Sequence, residues 1–140
     1  MSQSYDPARF APQALGALRM VAGLLFLAHG LIKVVGFPAG AEPGPQPLLS
    51  LFGIGGLIEI VTGALLLLGV LSRPAALIAS GQMAVAYWMF HAPSSPFPAV
   101  NGGDAAILFS FVFLYVAAAG PGAFALNHLL RAPRPRVARA

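Results

Sequence analysis

Residues 60–71 read IVTGALLLLGVL, a run of twelve residues with no charged side chain on any face of a helix. A helix at the surface of a soluble protein needs a polar outer stripe, which this segment does not have. The rest of the chain agrees, because 58% of its 140 residues are hydrophobic and only 9% are charged. Since an average soluble domain carries about 25% charged residues, the composition argues against a soluble helical bundle and against a disordered chain. It predicts a membrane-embedded protein.

Prolines divide this apolar sequence, because proline breaks the interior of a helix. Four proline-free stretches are 18 to 26 residues long, and about 20 apolar residues cross a bilayer as a helix. We therefore predict an all-α integral membrane four-helix bundle, with Ser72 as the cap of its third helix. The predicted segments are an N-terminal segment 1–12, a domain 13–130 with spans at 14–36, 48–71, 75–91 and 104–120, and a basic tail 131–140.

The distribution of basic residues predicts the orientation of the chain. Four spans place both termini on one side, and the basic residues of that side are Arg9, Arg73, Arg131, Arg134, Arg136 and Arg139. The connections on the other side carry no lysine or arginine, and Lys33 at the end of the first span is the one exception. The positive-inside rule therefore predicts cytoplasmic termini in a bacterial inner membrane. No basic patch is interleaved with aromatic residues, so a nucleic-acid partner is not expected.

Glu59 lies at the middle of the second predicted span, where a charge costs about 2.5–3.5 kcal/mol on insertion scales. Gly56 and Gly63 lie three residues before it and four after it, so the three positions share one helix face. Glycine on that face allows a neighbouring helix or a ligand to approach the carboxylate closely. We expect Glu59 to be buried and paired with a basic side chain.

The first predicted span offers three bases along one stripe. His29 and Lys33 are one turn apart, and Arg19 lies about 40° away from Lys33 at about 100° per residue. Arg19 belongs to the cytoplasmic half and Glu59 to the middle, so depth favours His29 as the partner of Glu59. The alternative role of Arg19 is to snorkel to the interface.

The fourth predicted span repeats a stripe at steps of four, three and four residues, which consists of Asp104, Leu108, Phe111 and Tyr115. Asp104 and the Tyr115 hydroxyl are therefore expected to line the same cavity as Glu59. The alternative for Asp104 is a stabilising contact with the helix dipole. The candidate buried polar cluster is Glu59, His29, Lys33, Asp104, Arg19 and Tyr115. His91 and Gln82, the strongly polar residue inside the third span, are interpreted as structural.

No self-contained catalytic motif is present. The chain has no cysteine, which excludes a disulfide, a thiolate metal site and covalently attached haem, and no metal site is predicted. A non-covalent haem between His29 and His91 is a minor alternative. An electron entry point would therefore have to come from a bound cofactor or a partner.

The sequence resembles the DoxX family of small four-helix membrane proteins over residues 15–130. The resemblance rests on LRMVAGLLFLAHGLIK (18–33), GGLIEIVTGALLLLG (55–69), SRPAAL (72–77) and FPAVNGGDAAILFSFVFLYVAAAGPG (97–122). Two departures are Asp104, where the family usually has glutamate, and 125–127, where Ala-Leu-Asn replaces the common Ser-Leu-Asp. The first departure keeps the charge. The second weakens any role for a carboxylate at that position.

The resemblance implies a membrane redox context, because the family is named after a subunit of quinone-linked sulfur oxidation and other members are linked to membrane redox or thiol-stress complexes. We therefore predict a membrane component of a redox system that binds quinone or a similar lipophilic molecule. It would be an oxidoreductase-associated subunit, and the sequence does not identify its cofactor. The expected partners are the bilayer, a redox subunit and further copies of the chain. The alternatives are a non-catalytic scaffold for a soluble partner and a small transporter or exporter.

Overall fold

The computed structural model describes residues 6–130, and every regular element in this range is helical. A 3₁₀ turn at Pro7–Phe10 precedes the first helix. The helices are α1 (Ala11–Val35), α2 (Leu51–Leu68), α3 (Ser72–Ala86) with a π-helical turn (Tyr87–His91), α4 (Pro98–Asn101), α5 (Asp104–Ala119) and α6 (Leu126–Leu130). The all-α prediction is confirmed. The predicted basic tail 131–140 and the first five residues of the N-terminal segment lie outside the described residues.

Two of the described helices are long and apolar enough to cross a membrane, Pro7–Val35 and Leu51–Leu68, and α5 is an apolar helix of 16 residues. Large apolar side chains also cover the outer surface of the bundle. Val61, Leu77 and Leu108 are each more than half exposed, and they come from three different helices. Such a surface is unfavourable in water and favourable in lipid, so the fold is that of a helical membrane protein. Four crossings and cytoplasmic termini stay predictions.

Glycines bring α1 and α2 into close contact. A Cβ atom on Gly30 would lie 2.6 Å from the carbonyl oxygen of Gly56, and one on Gly63 would lie 2.6 Å from the backbone nitrogen of Leu27. Because a larger residue at either position would force the two backbones apart, the small residues set the distance between the helices. The prediction that Gly56 and Gly63 admit a neighbouring helix beside Glu59 is confirmed.

Small residues also join α3 to α5. The Ser80 hydroxyl donates to the Ser110 carbonyl oxygen at 2.8 Å, and the Ser110 hydroxyl donates to the Ser80 carbonyl oxygen at 3.1 Å. Phe26 of α1 packs edge-on against Phe113 of α5, with ring centroids 4.9 Å apart. The bundle therefore consists of two closely packed pairs, α1 with α2 and α3 with α5, joined by a shared apolar core.

Two arginines hold the carbonyl groups at one end of the bundle. Arg19 is fully buried and donates to the Leu66 carbonyl oxygen at the end of α2. Its other acceptors are the carbonyl oxygens of Leu67, Pro121, Ala123 and Phe124. Arg73 donates to the Ala117 and Ala118 carbonyl oxygens at the end of α5, at 2.8 and 2.5 Å. A cation suits the partial negative charge of a helix C-terminus. We call this end of the bundle, residues 69–73 and 120–130, the Arg19 end.

The start of α3 departs from prediction. Leu71 precedes the helix with a φ of 47°, and no side chain accepts from the first backbone N–H groups. The prediction that Ser72 caps the helix is wrong, because the serine already has helical conformation and its hydroxyl is buried without a partner in residues 6–130. The serine that does cap is Ser50, whose Oγ accepts from the Gly53 backbone N–H of α2 at 3.0 Å.

Candidate functional site

An ion pair joins α1 to α2 in the interior of the bundle. The Lys33 Nζ lies 2.6 Å from the Glu59 Oε1, with 17% of the lysine side chain and 1% of the glutamate side chain exposed. The glycine contact brings them together, since a Cβ on Gly56, one turn before Glu59, would lie 2.9 Å from the Lys33 Cβ. The buried, paired carboxylate that the sequence predicts is therefore present.

The preference for His29 as the partner of Glu59 is wrong. Side chains on a helix point back toward its N-terminus, so the long Lys33 side chain places its ammonium deeper in the bundle than its Cα position indicates. The His29 ring instead has its Nδ1 2.8 Å from the Leu25 carbonyl oxygen on its own helix. A carbonyl only accepts hydrogen bonds, so Nδ1 carries a proton, and Nε2 is an acceptor when the ring is neutral.

Gln82 of α3 completes the polar cluster. Its Nε2 donates to the Glu59 Oε1 at 3.0 Å and to the Gly55 carbonyl oxygen at 3.1 Å. The Glu59 Oε2 and the Gln82 Oε1 are buried and have no donor within residues 6–130. A buried acceptor without a donor costs about 1–3 kcal/mol, so both atoms favour a bound molecule or water that donates to them. We call Lys33, Glu59 and Gln82 the ion-pair cluster.

The ion-pair cluster lines a cavity of about 660 Å³ between the two helix pairs. The remaining wall is mostly apolar and aromatic, and it includes Phe26, Phe52, Ile58, Met89 and Phe109. Small-molecule sites are typically cavities of roughly 300–1,000 Å³ with apolar walls and a few convergent polar groups. The arrangement is thus that of a binding site for a largely apolar molecule with one polar end.

Two histidines also line this cavity. The His29 ring meets the Phe109 ring nearly edge-on, with centroids 6.1 Å apart. The His91 Nδ1 lies 3.0 Å from the Asn101 carbonyl oxygen, so it too carries its proton on Nδ1. His91, for which the sequence predicts a structural role, therefore shares the cavity with His29.

Three of the predicted site residues lie elsewhere. Tyr115 is 57% exposed, and Asp104 is exposed in the first turn of α5, so the expectation that they line the cavity is wrong. Their stripe exists, but it faces outward, because Ala106, Phe113 and Val116 form the buried face of α5. Arg19 binds carbonyl groups at the Arg19 end and takes no part in the ion-pair cluster.

Gln82 belongs to the site, although it is not among the candidate residues predicted from the sequence. The sequence does indicate that Gln82 needs a partner, because it is the strongly polar side chain inside the third predicted span, and such a group needs a hydrogen-bond partner in a membrane. The sequence does not indicate which neighbouring helix this side of α3 faces. Only the packing of α3 against α2 brings the amide to Glu59 and to the backbone carbonyl of Gly55.

The fold and this site define a helical membrane protein with a buried ion pair on an apolar cavity. A family profile described as DoxX matches residues 14–92, a range that contains the whole ion-pair cluster. An uncharacterized protein of Haemophilus influenzae is 39% identical over an alignment of 127 residues, and the alignment covers 86% of this chain and 92% of that protein. No solved structure matches the chain significantly. The chain belongs to the DoxX family.

Proposed function

We propose that this DoxX protein binds a quinone, or a similar lipophilic molecule, in the cavity beside the ion-pair cluster, as the membrane component of a redox system. The observation that carries the proposal is the meeting of an apolar, aromatic wall with buried groups that can both donate and accept hydrogen bonds. A quinone needs both kinds of group, since its oxidised form has carbonyl acceptors and its reduced form has hydroxyl donors.

The polar end of the ligand would contact the ion-pair cluster. The Lys33 ammonium has three N–H donors, and Glu59 accepts one of them in the described residues. A second N–H is available for a quinone carbonyl. The Glu59 Oε2 and the Gln82 Oε1 have no donor within residues 6–130 and would accept from a hydroxyl of the reduced form that reaches them. The His29 Nε2 is a further acceptor.

The ring and tail of the ligand would contact the aromatic wall. Phe52 and Phe90 pack with ring centroids 4.7 Å apart, and Phe26 and Phe109 pack at 5.9 Å. Aromatic rings at such distances offer offset or edge-on contacts to a planar ring inserted near them. A long apolar tail would be buried against the same wall, which is favourable because it removes apolar surface from water.

We further propose four membrane crossings, cytoplasmic termini and a bacterial inner-membrane location, which the distribution of arginines supports. The chain has no cysteine and no recognised flavin motif. Electrons would therefore reach the ligand from a partner subunit, and this chain would hold the ligand and supply hydrogen-bonding groups.

The test is mass spectrometry of the small molecules that stay bound after mild detergent extraction from a quinone-producing host. Wild-type protein is expected to retain quinone. Replacing Gln82 by Met removes an amide of the ion-pair cluster at similar volume and should lower the retained quinone by about tenfold, the effect of about 1.4 kcal/mol. The matched control is Asp104→Asn, which removes an exposed carboxylate that is not among the residues lining the cavity and should leave retention unchanged.

Folding of each variant is checked by its helical circular dichroism and its unfolding temperature. Retention of ordinary lipids alone in the wild-type protein would overturn the proposal. Equal quinone retention in wild type and in a folded Gln82→Met variant would show that the ion-pair cluster does not contribute to quinone binding.

A further inference from the structure

A second cavity of about 290 Å³ lies at the Arg19 end, remote from the ion-pair cluster. Its wall consists of Leu71, Ser72, Arg73, Pro74, Pro121, Asn127 and His128. None of the four acidic residues of the chain lines this cavity. Its polar groups are a hydroxyl, a guanidinium, an amide and an imidazole. The side chains of this cavity are therefore those that favour a negatively charged group.

The N-terminus of α3 opens beside this cavity. The Ser72 and Arg73 backbone N–H groups have no acceptor within residues 6–130, and no side chain caps the helix. A helix of 15 residues concentrates partial positive charge at such an end. Free N–H groups together with this charge are the ordinary means by which proteins bind phosphate.

The Ser72 hydroxyl is the second and independent indication of a ligand. Ser72 is 3% exposed and lines the cavity, and its Oγ has no hydrogen-bond partner within residues 6–130. Serine hydroxyls buried in a protein are almost always hydrogen-bonded. The unpartnered hydroxyl lies on the first residue of α3, beside the two free backbone N–H groups.

We propose that this cavity binds a phosphate group. The phosphate oxygens would accept from the Ser72 hydroxyl and from the two backbone N–H groups. Arg73, held in place by the α5 carbonyl groups, would supply positive charge, and Asn127 and His128 would border the ligand.

The phosphate has two sources, a phospholipid headgroup or free inorganic phosphate. The lipid is accommodated by apolar side chains at the same end, since Leu71 and Phe124 are each more than half exposed. Both sources share the chemistry of the proposed site, and neither depends on quinone binding at the ion-pair cluster.

The experiment measures lipid binding by native mass spectrometry of the full chain in detergent micelles. The probes are phosphatidylglycerol, diacylglycerol with the same acyl chains, and inorganic phosphate alone. Phosphatidylglycerol is expected to bind at least about tenfold more tightly than diacylglycerol, because charge-assisted hydrogen bonds to phosphate are stronger than neutral ones.

The decisive variant is Ser72→Asp. A carboxylate in the first turn of α3 suits the helix dipole, which offsets part of the cost of its burial, and the added charge repels phosphate. Binding of the phosphate-bearing probe should fall by at least about tenfold. The matched control, Ser94→Asp, adds the same charge at an exposed serine of another loop and should leave binding unchanged.

Tighter binding of phosphatidylglycerol than of diacylglycerol, lost in Ser72→Asp, supports the site and assigns it to a headgroup. Binding of inorganic phosphate alone, lost in the same variant, supports the site and assigns it to free phosphate. If neither phosphate probe binds, or if Ser72→Asp binds as the wild type does, the proposal is overturned. Should Ser72→Asp fail to fold, Ser72→Ala removes the hydroxyl alone and is held to the same criterion.

Discussion

Glu59 has one charged partner within residues 6–130, and the identity of that partner decides the chemistry of the carboxylate. The Lys33 ammonium compensates the carboxylate charge, while Gln82 donates to the same oxygen and leaves the other oxygen unpartnered. A buried ion pair is weak evidence for stability, because desolvation opposes the attraction. The pair is better understood as a device that keeps a charged, hydrogen-bonding group inside an apolar bundle.

Breaking this pair on one side is expected to be costly. Lys33→Met leaves the buried carboxylate without its cation and should lower the free energy of unfolding by about 3 kcal/mol. The double variant Lys33→Met, Glu59→Leu should lose less than the sum of the single losses, since both charges are gone. Unfolding in mixed micelles measures all three values.

The control for the ion pair is His29. Because the His29 ring is bonded to its own helix, His29→Ala and Glu59→Gln should lower the free energy of unfolding additively, within about 0.5 kcal/mol. A coupling energy larger than that between His29 and Glu59, with none between Lys33 and Glu59, would contradict the described geometry.

Helices α1 and α2 form one packing unit because their contact is built from glycine. Gly23 and Gly30 of α1 meet Gly63 and Gly56 of α2 at backbone distances, so Lys33 and Glu59 are brought within reach of each other. Between this unit and the α3–α5 unit the packing is looser, and the cavity lies there. The site thus lies beside the α1–α2 contact, where glycines allow close packing, and at the looser contact with the α3–α5 unit, where the side chains are larger.

A pair of glycine-to-alanine variants tests this view of the elements. Gly63→Ala places a Cβ 2.6 Å from the Leu27 backbone nitrogen, so α1 and α2 must separate, and the expected loss is about 1–3 kcal/mol. Gly81 of α3 has nothing within 4 Å of such a Cβ, so Gly81→Ala should stabilise by about 0.5–1 kcal/mol through helix propensity. If the unfolding temperatures of the two variants shift in the same direction, the described packing at Gly63 and Gly81 is contradicted.

The whole molecule has two chemically different ends. The Arg19 end collects buried donors and carbonyl groups, and the opposite end, residues 36–50 and 92–103, connects the helices around the cavity. Arg19 ties α1, the end of α2 and the connection after α5 into one network. This network holds the helices together at the Arg19 end, while the cavity opens between the helix pairs nearer the other end.

The predicted orientation can be tested because the chain contains no cysteine. Each introduced cysteine is therefore a unique label site, and Ser94→Cys and His128→Cys lie at exposed positions of opposite ends. In intact cells a membrane-impermeant maleimide should label Ser94→Cys and leave His128→Cys unlabelled until the membrane is permeabilised. The reverse pattern would invert the topology, and equal labelling of both would contradict a fixed crossing.

The amino-acid sequence by itself determined the all-α class, the membrane environment, the family and the need for a buried partner of Glu59, because composition, proline spacing and the cost of a charge in lipid are properties of the chain alone. The tertiary structure decided which base that partner is, brought Gln82 into the cluster, turned Asp104 and Tyr115 outward and assigned Arg19 to backbone carbonyls. Periodicity shows which residues share a helix face. It does not show which way the face turns in a helix that is apolar all round, and only packing against the neighbouring helices settles that rotation.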